Sequence, residues 1–117
     1  MIELQILSKV LKEHSLTLLR QNNITEAHFI TYKTEIEFIM QHYQEFGNVP
    51  DIETFIAQFN DFDYLDVQET DKYLIETIQE QYMFSKVVPF VHELAEIATE
   101  KEKKAVQFIM SQLDGLK

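Results

Sequence analysis

Only two glycines, two prolines and no cysteine occur in the 117 residues of this chain, and this scarcity restricts the fold more than any motif. β-Sandwiches and β-barrels need many turns built from glycine and proline, so such folds are disfavoured. The lack of cysteine excludes disulfide scaffolds, thiolate zinc sites and cysteine nucleophiles. Because 45% of the residues are apolar, the composition is that of a globular protein, and we predict an all-α domain.

The first part of the chain is predicted to form short helices, because its apolar residues recur at helical spacing. A helix is predicted over residues 2–13, followed by a short helix that Ser15 caps and that ends at Arg20. Thr25 is the predicted N-cap of one further turn over residues 26–29.

A longer amphipathic pattern begins at Tyr32, and its wide apolar stripe predicts the central helix of the fold. Gly47 follows this pattern at the position where a glycine in the left-handed conformation ends a helix. Asp51 is the predicted N-cap of the next helix, which has four apolar residues at helical spacing between Ile52 and Phe59.

The second part of the chain begins with an acidic, aperiodic segment, residues 60–69, which we predict to be a loop held by Phe62 and Leu65. A long helical pattern follows. Pro89 lies inside it, and because proline removes one helical hydrogen bond, a kink or a break is predicted near residues 85–89. A turn near Thr99 is predicted to lead into a final helix.

The last two predicted helices carry more apolar surface than one helix pair covers. We predict a small globular helical head over residues 1–69, followed by an antiparallel helical hairpin over residues 70–117. The head or a second chain would cover the surplus, and spacing alone leaves both open. Phe90 is predicted to point away from the hairpin seam, and Phe108 to widen it. The predicted interface residues on this seam are Phe84, Val87, Val88, Val91, Leu94, Val106, Ile109, Met110 and Leu113.

Charge is distributed unevenly along the chain, whose net charge is −10 and whose isoelectric point is about 4.7. Residues 51–82 carry nine acids and one base, whereas residues 83–117 are balanced. An acidic surface repels phosphate backbones, so no direct nucleic-acid binding is expected. No apolar run approaches the length of a membrane span and the start lacks a signal-peptide pattern, which predicts a cytoplasmic protein without a membrane partner.

The sequence predicts no catalytic, cofactor-binding or metal-binding residues, and no cofactor. Neither glycine begins a phosphate-binding loop, so ATP hydrolysis by this chain is not expected. The four histidines show no metal-binding spacing and are interpreted as partly exposed helix residues. Capping or solvent exposure is the expected role of the serines, which are Ser8, Ser15, Ser85 and Ser111.

Five short motifs follow one another in a recognisable order. They are Ile6–Leu11, Ile24–Phe29, Ile36–Tyr43, Gly47–Asp51 and Ile52–Phe59. With the long helical pair that follows, their order and spacing resemble the N-terminal domain of DnaB-type replicative DNA helicases. The resemblance is closest to versions encoded by phages and prophages of Gram-positive bacteria.

The resemblance implies a non-catalytic collar domain. In that family the hairpins of neighbouring subunits pair, and the resulting collar supports a hexameric ring and docks primase or helicase-loading proteins during DNA replication. The ATP-dependent motor lies in a separate C-terminal domain of the parent helicase. Pro89 departs from the family, which usually keeps this helix continuous. The alternative is a stand-alone phage-type adaptor that binds a replication factor.

Overall fold

In the computed structural model, which describes residues 1–97 and 100–115, every regular element is helical. No β-strand occurs in these ranges, so the predicted all-α fold is confirmed. The predicted turn at Thr99 lies outside the described residues. A 3₁₀ turn, Glu26–His28, lies between the second and third helices. The α-helices are α1 (Ile2–Glu13), α2 (Thr17–Gln21), α3 (Lys33–Phe46), α4 (Ile52–Gln58), α5 (Asp71–Ile97) and α6 (Glu100–Asp114).

The chain divides into two units, residues 1–78 and residues 79–117, and the boundary lies within α5. We call the first unit the head. Its core includes Leu74, Ile75 and Ile78 from the start of α5. The predicted hairpin arrangement of α5 and α6 stays a prediction. Within the described ranges, no helix combines the length and the apolar character that crossing a membrane requires.

The central helix of the head is α1, not α3 as the sequence pattern predicted. Eight of its twelve residues are buried, whereas α3 buries only Ile36 and Ile39 fully. The physical reason is that α1 has apolar residues around most of its circumference, which leaves little of it suited to water. The apolar residues of α1 in the core are Ile2, Ile6, Leu7, Val10 and Leu11.

A buried carboxylate connects α1 to the start of α3. Glu3 is only 1% exposed, and its Oε1 accepts hydrogen bonds from the backbone N–H groups of Thr31 and Tyr32 at 3.0 and 2.9 Å. Tyr32 is the N-cap residue of α3. A negative charge at this end of a helix is favourable because the helix dipole places partial positive charge there. Glu3 therefore fixes where α3 begins relative to α1.

The loop over residues 60–69 is confirmed, and buried as well as charged side chains of α1 hold it. Ser8 is fully buried, and its Oγ accepts the N–H of Leu65 at 3.1 Å. The expectation that Ser8 caps a helix or faces solvent is therefore wrong, because α1 is buried on the face that carries it. Phe62 packs edge-on against Phe55, with ring centroids 4.9 Å apart.

Two lysines of α1 reach the acidic segment that follows α4. Lys12 Nζ donates to Asp66 Oδ1 at 2.9 Å, and this hydrogen bond lowers the pKa of Asp66 and raises that of Lys12. Lys9 pairs with Asp71 at the start of α5 and donates to the carbonyl of Glu69 at 3.3 Å. The basic side chains of α1 therefore offset part of the acidic charge that the sequence concentrates here.

Three predicted helix ends of the head are confirmed, whereas the predicted N-cap Ser15 is wrong. Helix α2 begins one residue later, after Leu16, although Ser15 Oγ accepts the N–H of Thr17 at 3.1 Å. Gly47 follows α3 with a φ of 81°, the left-handed conformation that glycine adopts at least cost. Asp51 Oδ1 accepts the N–H of Thr54 at 2.7 Å and caps α4. Thr25 caps the 3₁₀ turn, and its own N–H donates to His28 Nδ1 at 3.1 Å.

Replacing Glu3 by alanine is expected to lower the free energy of unfolding by about 2–4 kcal/mol, because two backbone donors lose a charged acceptor. Glu3→Gln keeps an acceptor oxygen and is expected to cost less. The control is Glu13→Ala, an exposed position of the same helix, for which a change within about 0.5 kcal/mol is expected. Urea unfolding measures all three. Equal losses for Glu3→Ala and Glu13→Ala would contradict the proposed role of the buried carboxylate.

The cap at Asp51 is expected to make the stability of the head depend on pH. The N–H of Thr54 lowers the pKa of Asp51 below its ordinary value of 3.8. As pH falls, Asp51 therefore binds a proton at a higher pH in the unfolded chain than in the folded one. The stabilisation by ionised Asp51 is full above pH 3.8 and is lost as pH falls through the lowered pKa. Urea unfolding measured from pH 7 to pH 2 should show that the difference in free energy of unfolding between the unaltered chain and Asp51→Ala becomes smaller as pH falls. Asp51→Asn keeps a neutral acceptor that does not titrate. The difference in free energy of unfolding between Asp51→Asn and Asp51→Ala should therefore stay constant over the same pH range.

Candidate interaction surface on the C-terminal helices

Helix α5 continues through Pro89 without interruption. Of the two predicted outcomes, a kink or a break, the break is therefore excluded. Proline has no N–H, so the carbonyl of Ser85 one turn earlier receives no helical hydrogen bond from position 89. The side-chain hydroxyl of Ser85 donates a separate hydrogen bond to the carbonyl of Tyr82 at 2.7 Å, within the same helix. Helix α5 thus presents one continuous surface on both sides of the proline.

An inner stripe on this part of α5 is withdrawn from water. It consists of Phe84, Val88, Val91 and Ala95, whose spacing of four, three and four residues keeps them on one helix face. Val91 is only 6% exposed, and the other three are half-buried. These four positions form the packed face of α5 in the second unit.

An outer stripe lies beside the inner stripe, and each of its members precedes an inner residue by one position in the sequence. Its members are Met83, Val87, Phe90 and Leu94, about 100° around the helix from the inner stripe. Met83, Phe90 and Leu94 are exposed, and Val87 is half-buried. The outer stripe is apolar at every position, although it faces solvent.

Helix α6 repeats this division into an inner and an outer face. Val106, Met110 and Leu113 are half-buried and lie at helical spacing, so they form its inner face. Phe108 and Ile109 are exposed at 66% and 47%. Apolar side chains therefore occupy both the packed face and part of the solvent face of each helix.

The nine predicted interface residues fall into two sets in the structure. Six of them are on the inner faces, and three belong to the exposed or outer set, namely Val87, Leu94 and Ile109. That all nine contact a partner stays a prediction. Phe90, predicted to point away from the seam, lies on the outer stripe with Val87 and Leu94. Met83, which is not among the predicted interface residues, lies on the same stripe.

The structure places each histidine in a separate setting. His14 ends α1 in the left-handed conformation, and His92 is exposed on α5. His28 accepts the N–H of Thr25, and burial lowers the pKa of its imidazole. His42 Nδ1 lies 2.9 Å from the carbonyl of Asn48. Among the described residues, no three metal-ligating side chains converge.

Comparison of this chain with protein-family models, with curated proteins and with solved structures finds no match. The resemblance to helicase N-terminal domains therefore rests on the order and spacing of the motifs themselves.

Replacing Pro89 by alanine is expected to strengthen α5, because the new N–H can bond the carbonyl of Ser85. We expect the local stability of the helix to rise by about 1–3 kcal/mol, which would slow amide hydrogen exchange at residues 90–93 at least several-fold. The control is Gln79→Ala, an exposed change in the same helix, which should leave exchange at these positions unaltered. Faster exchange in Pro89→Ala would mean that the proline is required by the packing of this helix.

Proposed function

We propose that this chain is a non-catalytic assembly domain of the kind that forms the N-terminal collar of DnaB-type replicative DNA helicases. In this proposal α5 and α6 form an antiparallel hairpin that pairs with the hairpin of a second copy. The paired domains belong to a hexameric ring in the cytoplasm and dock a primase or a helicase loader during DNA replication.

One observation supports the pairing: the last two helices expose several large apolar side chains. Five large apolar side chains are between 39% and 66% exposed. Single exposed apolar residues are normal on a protein surface, but a contiguous group of them marks an interaction site. The five are Met83, Phe90, Leu94, Phe108 and Ile109.

The geometry of an antiparallel pair would bring these side chains to one side. Two antiparallel helices are related by an approximate two-fold axis perpendicular to the plane that contains both. Residues that precede the inner positions of each helix therefore lie on the same side of that plane. Met83, Phe90 and Leu94 precede inner positions of α5 by one residue. Ala105 and Ile109 do the same on α6, whereas the polar Gln112 precedes Leu113. The hairpin would therefore have one mainly apolar side, which Phe108 extends.

The opposite flank of each seam is polar apart from Pro89, which favours pairing through the other side. On α5 the positions that follow the inner stripe are Ser85, Pro89 and His92. On α6 the corresponding positions are Gln107 and Ser111. One apolar side per hairpin suits an isologous pair, in which the same patch of two copies meets across a two-fold axis. The result is a four-helix arrangement.

Charge favours a second copy as the occupant of this surface. Residues 83–117 carry equal numbers of acidic and basic residues, so two such segments approach each other without net repulsion. The rest of the chain holds the whole net charge of −10. Self-association is therefore electrostatically least opposed at the last two helices.

The head supports the wider proposal through the order of its elements. The opening helix, the Thr25-capped turn, the helix that ends at Gly47 and the helix that Asp51 caps follow one another as the resemblance implies. This order is the basis for naming the helicase collar rather than any other paired helical domain.

The test is the mass of the full chain in solution, measured by sedimentation equilibrium over a concentration series. We expect a dimer or a larger assembly. The double variant Phe90→Ser, Ile109→Ser removes two exposed apolar side chains and is expected to weaken association at least tenfold, with an unchanged circular dichroism spectrum.

The matched control is Phe46→Ser, which removes an equally exposed phenylalanine, 64% exposed, from α3 in the head. It should associate like the unaltered chain. A chain that stays monomeric at high concentration would overturn the pairing. Loss of helix content in Phe90→Ser, Ile109→Ser would show that these residues form internal core instead.

A further inference from the structure

The head carries a second exposed feature, a continuous row of aromatic rings on α3, α4 and the loop after α4. Successive ring centroids lie between 4.8 and 6.2 Å apart, which is the range of packed aromatic pairs. The row runs through Phe62, Phe55, Phe59, Phe38, His42 and Phe46.

The row begins in the core and ends in solvent. Phe55 is fully buried, whereas Phe46 at the other end is 64% exposed. His42 packs against Phe46 with a centroid distance of 4.8 Å and ring planes inclined by 51°, and its Nδ1–H donates to the carbonyl of Asn48 at 2.9 Å. The outer rings are therefore held in place by the fold, although their faces are open. A surface fixed in this way loses little conformational entropy when a partner binds.

Two depressions open along this row. The first, with a volume of about 170 Å³, is lined by rings of α3 together with Gln41 and Glu45. The second, of about 370 Å³, lies between the start of α3 and the end of α4 and is lined by Tyr32, Phe59 and Phe62. Tyr32 and Phe62 meet edge to face there, with centroids 6.1 Å apart. Each depression thus has aromatic walls.

Both depressions are also acidic. Glu35 and Asp61 line the larger one, and Glu45 lines the smaller one. Neither is lined by lysine or arginine in the described part of the chain. Residues 33–63 contain seven acids and a single base, Lys33. Aromatic faces attract cations and carboxylates pair with them, so the two properties select the same kind of group.

We propose that this aromatic-acidic face docks a basic segment of a partner protein. We define the face by Phe38, His42, Phe46, Phe59 and the two depressions beside them. Arginine or lysine side chains of the partner lie over the rings and pair with Glu35, Asp61 and Glu45, while its apolar side chains cover Phe46. A nucleic acid is not the occupant, because its phosphates would be repelled by these carboxylates. The inference goes beyond self-association, because no residue of the face belongs to the second unit.

The test is an NMR titration of the isotope-labelled full chain with two capped amphipathic peptides of equal length. One contains leucine, alanine and arginine, and the other has glutamate in place of every arginine. We expect shift changes at residues of the aromatic-acidic face with the arginine peptide and none with the glutamate peptide.

Variants with matched charge separate specific docking from general attraction to an acidic protein. Glu35→Gln, Asp61→Asn is expected to weaken binding of the arginine peptide at least tenfold, and Phe46→Ser about fivefold. Glu13→Gln, Glu76→Gln removes the same charge from exposed positions elsewhere in the head and should change affinity less than twofold. Phe90→Ser, Ile109→Ser should bind the peptide normally, so failure of self-association and failure of docking are told apart.

Three results would overturn the inference. Equal losses in the two charge variants would show that net charge alone attracts the peptide. Shift changes confined to α5 and α6 would place peptide binding on the other surface. Spermine binding as tightly as the arginine peptide would show that the face recognises charge without any apolar contact.

Discussion

The hydrogen bonds from Thr31 and Tyr32 to the buried carboxylate of Glu3 set the geometry on which the rest of the head depends. They join the most deeply buried helix, α1, to the first turn of α3. An unpaired carboxylate in this position would be strongly unfavourable, so the start of α3 must lie where its backbone donors reach Glu3. Because α3 carries Phe38, His42 and Phe46, this one contact also determines where the outer rings of the head lie.

A second set of polar contacts connects α1 to the segment that leads into α5. Ser8 fixes the backbone of Leu65, and Lys9 and Lys12 pair with Asp71 and Asp66. The loop therefore follows α1 closely, although it contains no helix. The exposed ion pairs add little stability individually, whereas the buried hydroxyl removes an otherwise costly unpaired donor. These contacts therefore determine where the loop lies more than they add to the free energy of unfolding.

The two units present surfaces of different chemistry. The outer stripe of α5 is apolar, as are the exposed Phe108 and Ile109 of α6, and residues 83–117 carry no net charge, which in our proposal suits a copy of the same chain. The aromatic-acidic face of the head combines rings with carboxylates, which suits a basic partner. In the two proposals, self-association and partner docking therefore use different residues.

Local sequence determined the helices and their ends, because caps, glycine geometry and apolar spacing act within a few residues: Asp51, Thr25 and Gly47 all have their predicted roles. It also identified the apolar excess of α5 and α6, whose exposed members include Met83 and Phe90. Only the tertiary structure decided that α1 is central, that Ser8 and Glu3 are buried acceptors, and that distant rings form one row. The hydrogen bonds of Glu3 and Ser8 join residues 28 to 57 positions apart, and the row of rings depends on Phe38 meeting Phe59, 21 positions later. No local pattern encodes these contacts.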